Sequence, residues 1–131
     1  MEKGKKITLD MLIAKAQQRK TAEKVYKEVW CDSLEGCLTL EKIPLDRILA
    51  VYDSSEDGIV ANMAANVEVI YMSCPMLRNE SLFEEFRCAE PHDIVRKVLD
   101  DNMGDITRLV SAIQGFYGMG SGEGMVEEVK N

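Results

Sequence analysis

Apolar and polar residues along this chain switch period around one central segment. In residues 25–43 they alternate, with Val25, Val29 and Cys31 on one set of positions, Tyr26, Glu28 and Trp30 on the other, and a second run of the same kind, CLTLEKI, at 37–43. Between the runs lies Asp32-Ser33-Leu34-Glu35-Gly36, turn chemistry closed by a glycine. Two β-favouring runs joined in this way predict a hairpin over residues 24–43. Trp30, the sole tryptophan, lies inside it and is expected to be largely buried, although period two alone does not say which face turns inward.

On both sides of this segment the period is helical. Thr8 is placed to cap a first helix whose Leu9, Leu12, Ile13 and Ala16 fall on one face. After the hairpin, Pro44 suits the first turn of a second helix, with Leu45, Ile48, Leu49 and Tyr52 as its stripe, and SSEDG at 54–58 is a turn. The longest stripe follows: Val60, Met63, Ala64, Val67, Ile70, Tyr71 and Cys74, ended or kinked by Pro75. Asn79 or Ser81 can cap a short helix carrying Leu82, Phe83 and Phe86, and Ser81 with Glu84 has capping-box spacing. Pro91 is expected in the first turn of a further helix packed through Ile94, Val95, Val98 and Leu99. DNMGD is expected to break that helix at Gly104 and to open the last one at Asp105; this final stripe comprises Ile106, Leu109, Val110, Ile113, Phe116 and Tyr117.

A lone hairpin is marginal in water, and helices are the only elements available to cover it. The predicted class is therefore α+β: an N-terminal helix and β-hairpin packed on a mostly α-helical C-terminal part. Residues 1–7 are expected to form a flexible N-terminus, 8–118 a single domain, and 119–131 a flexible tail, Gly-rich and acidic. A chain of 131 residues has enough length for one core without staples.

Charge narrows the function classes. The formal net charge is −7, with acids gathered late in the chain, whereas Lys3, Lys5 and Lys6 precede the first helix and Lys15, Arg19 and Lys20 lie along it. That balance disfavours a phosphate backbone as partner. No segment has signal-peptide or membrane-span character, so the expected location is cytoplasmic, with no membrane partner. Cys31, Cys37, Cys74 and Cys88 are then expected as reduced thiols; they form no CxxC pair, and with a single histidine no structural metal site is expected.

His92, flanked by Glu90 and Asp93 and four residues from Cys88, is the one place where the chain resembles a small active site. Adjacent helical residues do not face one another, Pro91 interrupts any helix joining Cys88 to His92, and the surrounding acids oppose a thiolate. No catalytic residue and no cofactor is expected. The tail glycines 118, 120, 122 and 124 fit no phosphate-binding loop. The last two helices can imitate a helix-turn-helix, yet the final helix offers bases only Arg108 and Gln114. What is left over is apolar stripe together with eight methionines, which suits contact with another chain. The end of the last stripe, Ile113, Phe116 and Tyr117, is the expected partner-binding surface because the tail begins directly after it.

The order of segments resembles the XkdN-like tail assembly chaperones of long-tailed phages and phage-derived elements of Gram-positive bacteria. The resemblance rests on the leading helix, the strand-turn-strand, KIPLDRIL at 42–49, IYMSCPMLRNESLFEEF at 70–86, the C-EP-DIV-KV pattern at 88–98 and GDITRLVSAIQGFYG at 104–118. It implies a cytoplasmic phage or prophage factor that binds and solubilises the tape measure protein during virion assembly and helps bring tail tube subunits to it. The tape measure protein is thus the expected partner, with the tail tube protein and a second copy of the chain as further candidates. The alternative readings are a structural tail protein retained in the particle and a small helix-turn-helix DNA-binding regulator.

Overall fold

The computed structural model describes residues 4–22 and 24–119. The elements run α1 (Leu9–Thr21), β1 (Tyr26–Cys31), β2 (Gly36–Glu41), α2 (Leu45–Ser54), α3 (Ile59–Ser73), a 3-10 turn (Pro75–Leu77), α4 (Glu80–Glu85), α5 (Asp93–Val98) and α6 (Met103–Gly115). The fold is α+β, one antiparallel hairpin among helices. The expected tail lies outside the described residues from position 120 onward, as do residues 1–3 of the expected N-terminus.

Local chemistry explains most boundaries. Thr8 caps α1 by accepting from the Met11 backbone N–H, Asn79 caps α4 by accepting from Ser81, and Asn102 caps α6 by accepting from Asp105. Pro44 immediately precedes α2, and Pro75 opens the 3-10 turn that ends α3. In the hairpin, Val29 lies opposite Leu38 and Cys31 opposite Gly36, and Glu35 takes the left-handed conformation that closes the loop. Between α5 and α6 the break falls at Asp100 and Asp101, both left-handed, and not at Gly104, which lies inside α6. Aspartate tolerates that conformation better than most side chains, so no glycine is needed.

α3 is the central element, in contact with α2, α5, α6 and β2. It is apolar around most of its circumference, so burial there is set by its neighbours and not by one stripe: Ala65, Val67, Val69, Ile70 and Ser73 go inside, whereas Val60 is exposed. In α2 the buried pair is Ile48 and Val51, and Leu49, on the expected stripe, faces outward. α5 delivers Ile94, Val95 and the adjoining Leu99 to the core, and α6 delivers Ile106, Leu109, Ala112 and Ile113.

Two expectations about burial are corrected. Trp30 is 49% exposed, because Val29 and Cys31 take the inward positions of β1 and alternation turns Trp30 outward. α1 forms as expected but buries none of its residues; Leu9, Leu12 and Ile13 are all exposed.

These placements separate two leucines of equal chemistry. Leu109→Ala, at a fully buried site, is expected to cost about 2–5 kcal/mol. Leu12→Ala, 56% exposed, is expected to stay within about 0.5 kcal/mol. Urea unfolding of both variants followed by circular dichroism checks the pair.

Candidate partner-binding surface

α6 lies along β1 and is fastened to the hairpin at both ends. At its start, Asp105 is 0% exposed and its carboxylate accepts from the Asp32 N–H (2.8 Å), the Ser33 N–H (3.0 Å), the Ser33 hydroxyl (2.6 Å) and Arg108 Nη1 (3.0 Å). Burial opposes the charge on Asp105, but the Ser33 hydroxyl, the two backbone N–H groups and the Arg108 guanidinium outweigh it, and the pKa is lowered from the ordinary carboxylate value. At the other end the Tyr117 hydroxyl donates to the Ile43 carbonyl and accepts from the Ile43 N–H (3.2 Å), while Lys27 Nζ donates to the Ala112 carbonyl (3.3 Å).

This fastening decides what the expected partner residues do. Ile113 is 2% exposed and belongs to the core, so its side chain is not available to a partner; the last stripe continues inward further than its sequence position suggested. Tyr117 is half-buried, and its hydroxyl is committed to Ile43. Phe116 is half-buried with Lys27 Nζ 5.1 Å from its ring centre. The structure brings the three together at the end of α6, but as a seam to the hairpin.

The aromatic surface left open is on β1. Tyr26, Glu28 and Trp30 share its outward face, opposite Glu41, Thr39 and Cys37 of β2. Trp30 is held in place: its Nε1 donates to Asp32 Oδ1 (2.7 Å), and its carbonyl accepts from Arg108 Nη1 (3.0 Å). Beside it a groove of about 500 Å³ runs between β1 and α6, lined by Lys27, Val29, Trp30, Thr107, Arg108 and Ser111, among others. Trp and Arg are among the residue types enriched where binding energy concentrates, and here a half-exposed Trp30, its indole N–H bonded to Asp32, lies beside Arg108. Sequence reasoning missed it although a signal was present, since Trp30 shares its strand parity with Glu28, a residue unsuited to a core.

The other candidates are placed as follows. His92 immediately precedes α5, partly exposed, and makes no side-chain capping bond there. Cys31 and Cys74 are buried, and burial pushes the Cys31 thiol up to about 11 and raises Cys74 as well, so both are protonated at neutral pH. Cys37 is exposed and Cys88 partly so. Among the described residues no group of His, Cys, Asp and Glu is arranged to hold a metal ion, and no helix is long and apolar enough to cross a membrane. Arg108, the one basic residue of the last helix, is spent on Asp105, Asp32 and the Trp30 carbonyl.

No protein-family model, curated protein or solved structure matches the chain.

Asp105→Asn is expected to destabilise the protein by about 1–3 kcal/mol at neutral pH, because an amide places donors against the donors of Asp32 and Ser33. The folded-state pKa of Asp105 is depressed, so its stabilisation is full above the unfolded value of about 3.9 and is lost as pH falls through the lower folded value. Wild type should lose this contribution in acid and the Asn variant should lack it, as read from urea midpoints across that range. Tyr117→Phe removes both bonds to Ile43 and is expected to cost about 1–2 kcal/mol in the same assay.

Proposed function

We propose that the chain is a cytoplasmic tail assembly chaperone of a long-tailed phage or prophage, which binds the tape measure protein, keeps it soluble and helps bring tail tube subunits to it. The ordered segments over residues 8–118 support the family reading, and the observation that carries the binding role is the open aromatic face of β1. Trp30 and Tyr26 stand outward beside the β1–α6 groove while the apolar stripe of α6 is consumed by the core. A face of this kind binds without chemistry: Trp30 supplies apolar area, the groove accepts a side chain, and Arg108 holds the strand edge in shape. The contact is small, which suits a factor that must release its client when the tail tube assembles.

A catalytic role has little to draw on. The two buried thiols are protonated, and His92 makes no side-chain capping bond at the start of α5. Reading of duplex DNA has equally little, because Arg108 is already engaged. A structural tail protein has the same binding face, and composition of the finished particle separates the two: the chaperone is expected to be absent from purified tails.

The direct test is co-expression with the tape measure protein encoded in the same tail gene cluster. Wild type is expected to keep that protein in the supernatant, and Trp30→Asp to leave most of it in the pellet while its own circular dichroism is unchanged. Solubilisation by Trp30→Asp equal to wild type would falsify the assignment of this face. Failure of wild type itself would remove the chaperone reading.

A further inference from the structure

The hairpin is a sheet of two strands, so β1 has β2 on one side only. Which of its backbone groups face the open side follows from the register. The Val25 carbonyl accepts from the Lys42 N–H (2.9 Å), which makes these two a hydrogen-bonded pair of the antiparallel ladder. Such pairs alternate with pairs that exchange no bonds. Lys27 with Leu40 and Val29 with Leu38 are therefore bonded pairs, whereas Tyr26, Glu28 and Trp30 turn their N–H and C=O groups away from β2. Arg108 Nη1 meets the Trp30 carbonyl on that open side, reaching it from α6. Among the described residues nothing bonds the Trp30 N–H or either backbone group of Tyr26 and Glu28.

The groove of about 500 Å³ between β1 and α6 lies along this edge. On the α6 side it is lined by Gly104, Thr107, Ser111 and Ala112, small residues at helical spacing, and Arg108 ends the open row by occupying the Trp30 carbonyl. A row of unpaired backbone donors and acceptors is a template for another strand. The side chains on the solvent face say what that strand carries. Tyr26 and Trp30 are exposed aromatics two residues to either side of Glu28, which is exposed and makes no ion pair among the described residues. A basic residue beside Glu28 with apolar residues beside Tyr26 and Trp30 complements all three. The formal net charge of −7 draws basic segments in the same sense.

We propose that the client contact assigned above to this face, on which the inference rests, is strand addition. An extended segment of the client pairs with the β1 edge, exchanges backbone bonds with Glu28, and places apolar, basic and apolar residues on alternate positions of its solvent side. Its intervening side chains point toward α6 and are small. A client helix would rest side chains on Trp30 but bring no backbone groups to the edge, because its own are bonded internally. Pairing of two copies of β1 about Glu28 would set carboxylate against carboxylate.

Glu28→Pro isolates the edge. The N–H it removes points to the open side, so the ladder to β2 keeps its bonds, and proline is tolerated at such edge positions. Glu28→Ala keeps the N–H and is the control. In co-expression with the tape measure protein of the same gene cluster, Glu28→Pro is expected to keep at least about tenfold less client soluble than wild type. Glu28→Ala should stay within about fivefold. Amide hydrogen exchange gives a second readout: in the free chain Glu28 and Trp30 are expected to exchange at least about tenfold faster than Lys27 and Val29, and to slow in the client complex. It decides alone where circular dichroism shows that Glu28→Pro has not folded. Strand addition is overturned, with the aromatic face left standing, if folded Glu28→Pro holds the client as well as wild type while Trp30→Asp does not, or if both amides stay fast in the complex. Slowing of those amides with concentration in the free chain would seat a second copy on the edge and overturn it too. Failure of wild type to hold the client removes the client reading, and strand addition with it.

Discussion

The arrangement of this protein depends on one buried carboxylate. A two-stranded hairpin has little stability by itself, and here it is held by a helix that arrives more than seventy residues later in the chain. Asp105 makes that connection by accepting from both N–H groups that open the hairpin loop and from the Ser33 hydroxyl, while Arg108 from the next turn of α6 balances its charge. Desolvating an acid is costly unless its lone pairs are occupied, and here they are. The network fixes the position of α6 along β1, and the Tyr117 clamp on Ile43 fixes its far end.

With α6 held at both ends, the division of apolar surface between core and exterior follows. Leu109, Ala112 and Ile113 must face α3 and the inner face of the hairpin, formed by Val29, Cys31, Leu38 and Leu40. The outer face of β1 is then left with Tyr26 and Trp30 exposed, and Arg108 reaches the Trp30 carbonyl from the same network that orders the loop. The proposed client face is therefore a by-product of the hairpin's anchoring: rigid where the loop is held, and apolar where no helix covers it.

The exposed apolar surfaces differ in character. The β1 face is aromatic and built on a paired strand, whereas α1 buries none of its residues and the groove between α3 and α5 is lined by aliphatic side chains and by charged side chains of both signs.

Much of the local structure was legible because it depends on groups only a few residues apart. Thr8, Asn79 and the prolines at 44 and 75 set helix ends through their own backbone geometry or a hydrogen bond within three residues, and the period-two runs with their intervening turn defined the hairpin. Burial was a different matter. A stripe on a helix identifies a face, but whether that face meets the core depends on another element's position: the weaker stripe of α1 buries nothing, whereas the stronger stripe of α6 goes inside. The same holds for Trp30, turned outward once Val29 and Cys31 had claimed the inside, and for Ile113, expected at a partner and found in the core. Asp105 read as a residue opening a helix; its role as anchor needed Asp32 and Ser33 brought within 3.0 Å across more than seventy residues of chain, a proximity created by packing and carried by no local pattern.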